Sequence, residues 1–370
     1  MPEVNEINSL NRLSDFRYRW NNILQKSKDN DVFSTWEWLS CWWKHFGNGR
    51  QLKVLVAEEK DEILGIAPLM LSKYDIPIFG KISRVEFIGS AESDYNNFIL
   101  LKKEKDALKL FLDYLMDQSD WDILQLRDLR DDALAARMLS NGDIGQLFNL
   151  EKRVMTLCPY IILPNSISVL MERWSGNMRR NISRRTRKLH QTHHVKFKTH
   201  MDFGSVNEAM KVFIDLHQKR WKSQGEPGAF ASKSFRDFHT DVAELLANRN
   251  WLSLCFLMAD DEPVATIYSF DYNYKGYEYL TGFNPAYETY GVGNIVKKLV
   301  IERCIQRGFR EYDLLRGSDP YKMDWTTEIR KNYEIQFTRN RFGAKIYTKI
   351  RKSKLRNFIS RLHVLLSLSR

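Results

Sequence analysis

The segment richest in chemistry runs from Tyr279 through Leu-Thr-Gly-Phe-Asn-Pro-Ala-Tyr287-Glu288-Thr-Tyr to Gly291-Val-Gly293-Asn294. An apolar run enters Gly282, a loop follows, and Gly291 and Gly293 open a helical pattern. Glycines at such an opening let a ligand approach the backbone and leave N–H groups free at the positive end of a helix, which suits phosphate. Gly291, Gly293, Asn294 and Tyr287 are the candidate residues for binding a phosphate-bearing ligand. The Lys-Ser/Thr pair of a nucleoside triphosphate loop is missing, and the spacing does not fit a dinucleotide fingerprint. A turn needed only for packing would use the same glycines, so the residues alone leave both readings open.

Two further places offer proton transfer or charge stabilisation. His217-Gln-Lys-Arg220-Trp221 closes a strongly amphipathic helical pattern, and an imidazole titrating near about 6.5 is the nearest base for neutral pH. A packed histidine is the plainer alternative. In Glu311-Tyr-Asp313-Leu-Leu-Arg316-Gly317-Ser-Asp-Pro-Tyr321-Lys322-Met-Asp-Trp325, a lysine lies just past a strand end. An ammonium there can neutralise a phosphate or a developing oxyanion. Asp313, Tyr279 and Tyr287 are additional proton donors or acceptors, with Asp313 alternatively anchoring the loop that carries Arg316. No nucleophile elbow and no Ser/His/Asp arrangement is visible.

The elements that must position these groups alternate between strand and helix periodicity. Residues 31–46 read as a helix N-capped by Ser34, with Glu37 completing a capping box. Two antiparallel strands follow around a Lys-Asp turn, then strands near 83–89 and 96–100. A helix over 106–117 presents Leu108, Phe111, Leu112 and Leu115 on one face, and strand, helix and strand lead to Pro159. Pro164 and Asn165 mark a junction. Beyond it come one helical stretch over 166–190, a strand, two helices, a hairpin with a turn at Asp261-Glu262, a second turn at Asn273–Gly276, a helix over 293–307 and two more strands. This predicts an α/β chain of two lobes, 1–165 and 166–348, with mixed, mainly antiparallel sheets flanked by helices, followed by a basic amphipathic helix over 349–370.

With 370 residues, 43% hydrophobic and 28% charged, each lobe has enough apolar bulk for a core without disulfides. Cys41, Cys158, Cys255 and Cys304 are far apart and form no metal-type spacing, so small buried residues in a reducing compartment are expected and no metal site. His190, His193 and His194 lack an acidic or cysteine partner nearby in sequence. No signal peptide or apolar span is visible, which implies a cytoplasmic protein. The net charge of +11 is concentrated: residues 171–200 hold nine Arg/Lys against Glu172, and the last 22 residues hold seven and no acid. Arg180 and Arg184 belong to the first cluster, which fits a polyanion or a solvated helix face. The tail fits an anionic membrane surface, a packed helix or a dimer contact.

Glu288-Thr-Tyr-Gly291-Val-Gly293, the Asp313–Trp325 segment, His217–Phe230 and the opening Phe33-Ser-Thr-Trp-Glu-Trp together resemble the CelD-like (BioF2-like) acetyltransferases of the GNAT superfamily. These are similar in turn to the Fem aminoacyltransferases. The resemblance implies a tandem GNAT-like fold and an acyltransferase with no tightly bound cofactor and acyl-CoA as co-substrate. The acceptor would be an amine of a sugar or cell-envelope precursor, as in polysaccharide biosynthesis; an envelope precursor at the inner face of a membrane would also account for both basic segments. The resemblance implies Lys322 and His217 as catalytic, beside the proton-transfer candidates Asp313 and Tyr279, and Arg316, Trp221, Arg220, Tyr321, Trp325, Arg180 and Arg184 as substrate contacts. The resemblance also admits an aminoacyl-tRNA donor, although no coiled-coil heptad run of the Fem type is present. A non-catalytic binder of an anionic polymer is a third reading. In the superfamily pattern the first position is basic or an amide, and Glu288 departs from it. Monomer and dimer are both compatible with the sequence.

Overall fold

The computed structural model describes residues 2–76, 80–141, 143–339 and 342–352. They fall into two compact units that interleave in sequence. One comprises the residues up to Asp29, Gly47–Met155 and those from Tyr333 onward; the other comprises Asn30–Phe46 and Thr156–Asn332. The sequence reading places a single cut near residue 165. The observed cuts instead fall inside the strands Glu151–Ile162 and Ile329–Thr338, and the aromatic helix Trp36–Phe46 belongs with the second unit. Composition carries no trace of this, because each strand is continuous in sequence. Residues 353–370 of the amphipathic tail lie outside the described residues.

In the first unit, Glu3–Ile7, Val54–Glu59, Glu62–Ala67 and Ile99–Leu100 form an antiparallel sheet. Helix Glu104–Asp117 lays its buried Leu108, Phe111, Leu112 and Leu115 against it. Arg50–Leu52, Leu69–Ile76 and Gly80–Phe87 pair antiparallel in a second sheet, and Ile123–Arg130 joins the last of them in parallel.

The second unit is built on strands in the order Val195–Thr199, Leu252–Ala259, Glu262–Tyr272, Lys275–Phe283, Glu311–Asp313 and the end of Glu151–Ile162. Its two hairpins turn at Asp260-Asp261 (φ 52° and 67°) and Asn273-Tyr274 (φ 49° and 58°). Paired left-handed residues give the twist that antiparallel neighbours need. The first turn therefore falls one residue before the expected Asp261-Glu262.

Four helices of this unit start the same way. The hydroxyls of Ser166, Ser175, Ser205 and Ser232 accept from the N–H groups of Val169, Met178, Glu208 and Phe235, each satisfying one orphan donor of a first turn. The second of these caps breaks the expected 166–190 helix into Ile167–Arg173 and Gly176–Thr192, with Trp174 extended between them. Near the N-terminus, Asp31 caps the short helix Val32–Ser34 and the Thr35 hydroxyl accepts from Trp38 N–H, so Thr35 rather than Ser34 starts helix Trp36–Phe46. Glu37 pairs with Arg249 at 2.7 Å.

Candidate active site

Strands Lys275–Phe283 and Glu311–Asp313 run parallel for three residue pairs, from Lys275 opposite Glu311 to Tyr277 opposite Asp313. Beyond Tyr277 the registered pairing between them ends. On its other edge the longer strand slips: Ser269 faces Glu278 and Tyr268 faces Leu280, leaving Tyr279 as the extra residue of a β-bulge. A bulge takes a residue out of the ladder and re-aims its neighbours. A backbone N–H fixed in a strand is the kind of donor that stabilises an oxyanion in acyl transfer.

The strand leads through Gly282 to the short helix Pro285–Tyr290, and Gly291 then starts helix Val292–Gln306 in a left-handed conformation, φ 61°. A Cβ at Gly291 would sit 2.6 Å from Arg185 Nη1 and 2.7 Å from its Cδ, so only glycine lets that arginine lie on the turn. A Cβ at Gly293 would meet nothing within 4 Å. Arg185 Nε is buried without a hydrogen-bond partner among the described residues. A guanidinium held against the positive end of a helix is electrostatically unfavourable alone and favourable around an anion. The Glu288 side chain is exposed, and its carbonyl accepts from Gly291 N–H at 2.8 Å. Asn294 and Tyr287 flank the turn half-buried, with Tyr287 5.5 Å from the His193 ring.

Helix Val206–Ser223 packs directly on this strand, since a Cβ at Gly282 would be 2.5 Å from His217 N. From that helix Arg220 Nη1 donates to Thr281 Oγ1 at 2.8 Å, and its guanidinium lies over the Trp221 and Phe283 rings. His217 is only 1% exposed. Its Nε2 accepts from the Trp221 indole N–H at 3.0 Å, and burial pushes the imidazole down to about 4. The base expected from the sequence is thus a neutral ring whose acceptor nitrogen is already used. Tyr279 packs against Trp38, Phe270 and His239, with ring centres 5.6, 5.4 and 5.0 Å away.

Lys322 is buried, and its Nζ donates to Leu314 O and Arg316 O at 2.7 Å, with Leu315 O at 3.5 Å. The ammonium that the sequence aims at a phosphate instead closes on its own loop, where Leu315 (φ 58°) and Gly317 (φ 109°) are left-handed. Asp313 lies fully buried in the same frame. It accepts from Leu315 N–H at 2.8 Å and from Arg330 Nη1 at 3.0 Å, while Arg330 also grips Glu311 and covers the Tyr160 ring. Arg316 is half-buried and contributes its carbonyl to the Lys322 clamp. Tyr321 is 40% exposed, whereas Trp325 is buried edge-on to Trp174. Arg180 and Arg184 are exposed on helix Gly176–Thr192.

Sequence reasoning missed three features here. Arg185 was visible as charge but not as a side chain lying on Gly291. The buried ion pair between Lys297 Nζ and Glu278 Oε1, 2.8 Å apart, stands where the two strands separate, and Tyr312 Oη donates to the other carboxylate oxygen at 2.9 Å. A glutamate inside Tyr-Glu-Tyr-Leu and a lysine inside an apolar helix were the available signals. The bulge left none.

Residues 176–323, which contain Arg185, His217, the bulge, the Gly291 turn and Lys322, match the family described as an acetyltransferase (GNAT) domain. Among solved structures, the crystal structure of FemX superposes with a TM-score of 0.66 at 10% identity, covering 90% of this chain and 98% of that one. A C-terminal domain (DUF2156) of a putative lysylphosphatidylglycerol synthetase from Agrobacterium fabrum gives 0.55 at 8% identity, over 91% and 96%. A tandem GNAT protein from the clavulanic acid biosynthesis pathway gives 0.51 at 8%, over 90% and 98%. No curated protein matches. Residues 176–323 thus carry an acetyltransferase (GNAT) domain, which makes the chain an acyltransferase, and its fold is similar to those of FemX and of a tandem GNAT protein. Among the described residues, no helix is long and apolar enough to cross a membrane.

Proposed function

We propose that the chain transfers an acyl group from acyl-CoA to an amine of a sugar or cell-envelope precursor. The observation that carries this reading is the Gly291–Gly293 turn, with Arg185 over it, beside a bulged strand. The donor pyrophosphate would lie across the N–H groups of this helix start and the Arg185 guanidinium, displacing nothing at Gly293, where space is open. Its thioester carbonyl would reach the bulge at Tyr279, where a strand backbone N–H would hold the tetrahedral oxyanion. The acceptor nitrogen forms the new C–N bond, the C–S bond breaks, and the amine proton passes to solvent or a base as the thiolate leaves. Alignment accounts for most of the acceleration because a thioester is already reactive. Lys322 and Asp313 serve this step by fixing the 314–317 wall, and Glu288, exposed, need not face the phosphates.

Calorimetric titration with acetyl-CoA and longer acyl-CoA thioesters tests the donor. Binding that falls more than tenfold in Gly293→Trp, whose ring would fill the open space, supports it. Equal binding in both proteins, or none to any thioester, rejects it. The exposed arginines of helix Gly176–Thr192 favour a second reading, an aminoacyl-tRNA donor. That reading requires affinity for charged tRNA that falls steeply with salt, by a log–log slope of about 0.7–0.9 per phosphate contacted. Retention of an anionic polymer without any transfer would instead mark a binding protein. An envelope acceptor would bring the enzyme to the cytoplasmic face of the membrane, and liposome flotation of the full chain against a variant lacking residues 349–370 would show whether the tail takes part.

A further inference from the structure

Helices Trp36–Phe46 and Lys233–Ala247 pack on one another within the second unit. At their contact the donor atoms of Cys41, His45 and Asp241 all lie within 4.8 Å of one another. Cys41 and His45 are four apart, hence on one helical face, and Asp241 arrives from the opposite helix. His45 Nε2 and Asp241 Oδ2 are 2.8 Å apart, close to the roughly 3.3 Å expected of two ligands on a tetrahedral ion with bonds of about 2.0–2.1 Å. Cys41 is 2% exposed, the His45 side chain 13% and the Asp241 side chain 36%. The soft donor is inside and the carboxylate at the rim, leaving a fourth position open to water. A positive charge already sits at this carboxylate: Lys44 Nζ, on a side chain 67% exposed, is 2.6 Å from Asp241 Oδ2. Phe46 and Phe238, 5.4 Å apart, border the cluster and keep its inner side dry.

We propose that Cys41, His45 and Asp241 form a binding site for a thiophilic divalent ion of the zinc type, with water as fourth ligand. One thiolate, one imidazole and one carboxylate suit zinc and disfavour magnesium and calcium, which prefer all-oxygen shells. On binding, the Cys41 S–H bond breaks, a metal–sulfur bond forms, and the proton leaves to solvent. His45 contributes the lone pair of its neutral Nε2, and the Lys44 ammonium swings outward with its proton. The ion would staple the segment 30–46 to a partner helix some two hundred positions away in sequence. That segment also carries Trp38, which packs on Tyr279 at the bulge, so the staple would hold one wall of the aromatic cluster behind the candidate active site. This inference does not depend on which acyl donor the enzyme uses.

The test is a titration of the chelator-treated full chain with Co²⁺, followed by competition with Zn²⁺. One equivalent should develop a thiolate-to-cobalt charge-transfer band with tetrahedral ligand-field absorption, and zinc should bleach both while raising the Tm. Cys41→Ser should abolish the charge-transfer band. Asp241→Asn and His45→Gln should each weaken zinc by more than the ~10–100-fold that loss of a mere outer-shell partner costs. Lys44→Met, which removes the competing cation, should tighten it. If Cys41→Ser does not fold, the two rim variants still decide between site and no site, because their positions are partly exposed. Absence of a thiolate band in the wild-type chain, its persistence in Cys41→Ser, or unchanged affinity in both rim variants would overturn the site.

Discussion

Replacing Lys322 by methionine separates two roles for that lysine. In the structure its ammonium holds the carbonyls of Leu314 and Arg316 at 2.7 Å, with Leu315 O at 3.5 Å. Methionine keeps much of the length and removes every donor. A hydrogen bond from a charged group contributes about 1.5–3 kcal/mol, and removing the charge recovers part of its desolvation cost, so a net loss of about 2–4 kcal/mol is expected. For a unit of this size each kcal/mol corresponds to about 2–4 °C, which puts the fall in Tm at roughly 5–15 °C. Arginine should not rescue the variant, since its planar fork cannot converge on carbonyls spaced for one ammonium. Thermal melts of the wild type, Lys322→Met and Lys322→Arg read the loop directly, and acyl-CoA titration below the melting range reads the site. The reasoning is refuted if Lys322→Met melts with the wild type while donor binding collapses. That outcome would put the ammonium on a phosphate rather than on its own loop.

Three other outcomes follow from the same geometry. Burial pushes His217 down to about 4 and His239 down to about 3, whereas an unfolded imidazole titrates near about 6.5. Below that value the unfolded chain binds protons that the folded chain refuses, so stability is complete above pH ~6.5 and falls towards pH 4 by up to about 1.4 kcal/mol per pH unit for each histidine. Denaturant midpoints between pH 7 and pH 5 should show this, with a shallower slope in His239→Phe. Gly291→Ala forces an L-residue to φ 61° and displaces Arg185, for a loss of about 1–2 kcal/mol, while Gly293→Ala, on a helix with open space above it, should melt at or above the wild type. Arg330→Met leaves the buried Asp313 and Glu311 carboxylates without their main counter-ion; equilibrium unfolding should show a loss of about 3–5 kcal/mol.

What could be read in the sequence was what local physics writes there. Alternating apolar runs around Asp260 and Asn273 gave the hairpins, because left-handed turn residues and strand periodicity are properties of a few adjacent positions. The helix bearing Leu108, Phe111, Leu112 and Leu115 was legible for the same reason. So was the glycine-opened helix at Gly291, since backbone conformation constrains residue type on the spot. The resemblance added the fold class and the acetyltransferase domain, which rest on motifs of a few residues each.

The tertiary structure decided whatever depends on partners distant along the chain. Whether Lys322 faces a ligand or its own loop depends on where the carbonyls of residues 314–316 point, and His217 loses its basicity to burial that no hexapeptide reveals. Arg185 reaches Gly291 across more than a hundred residues, and Asp241 meets Cys41 and His45 across almost two hundred. The bulge at Tyr279 is a mismatch between two strands and exists in neither alone. Sequence specifies side-chain chemistry and short-range backbone preference; the charge state, reach and company of each group are set by packing, which is collective.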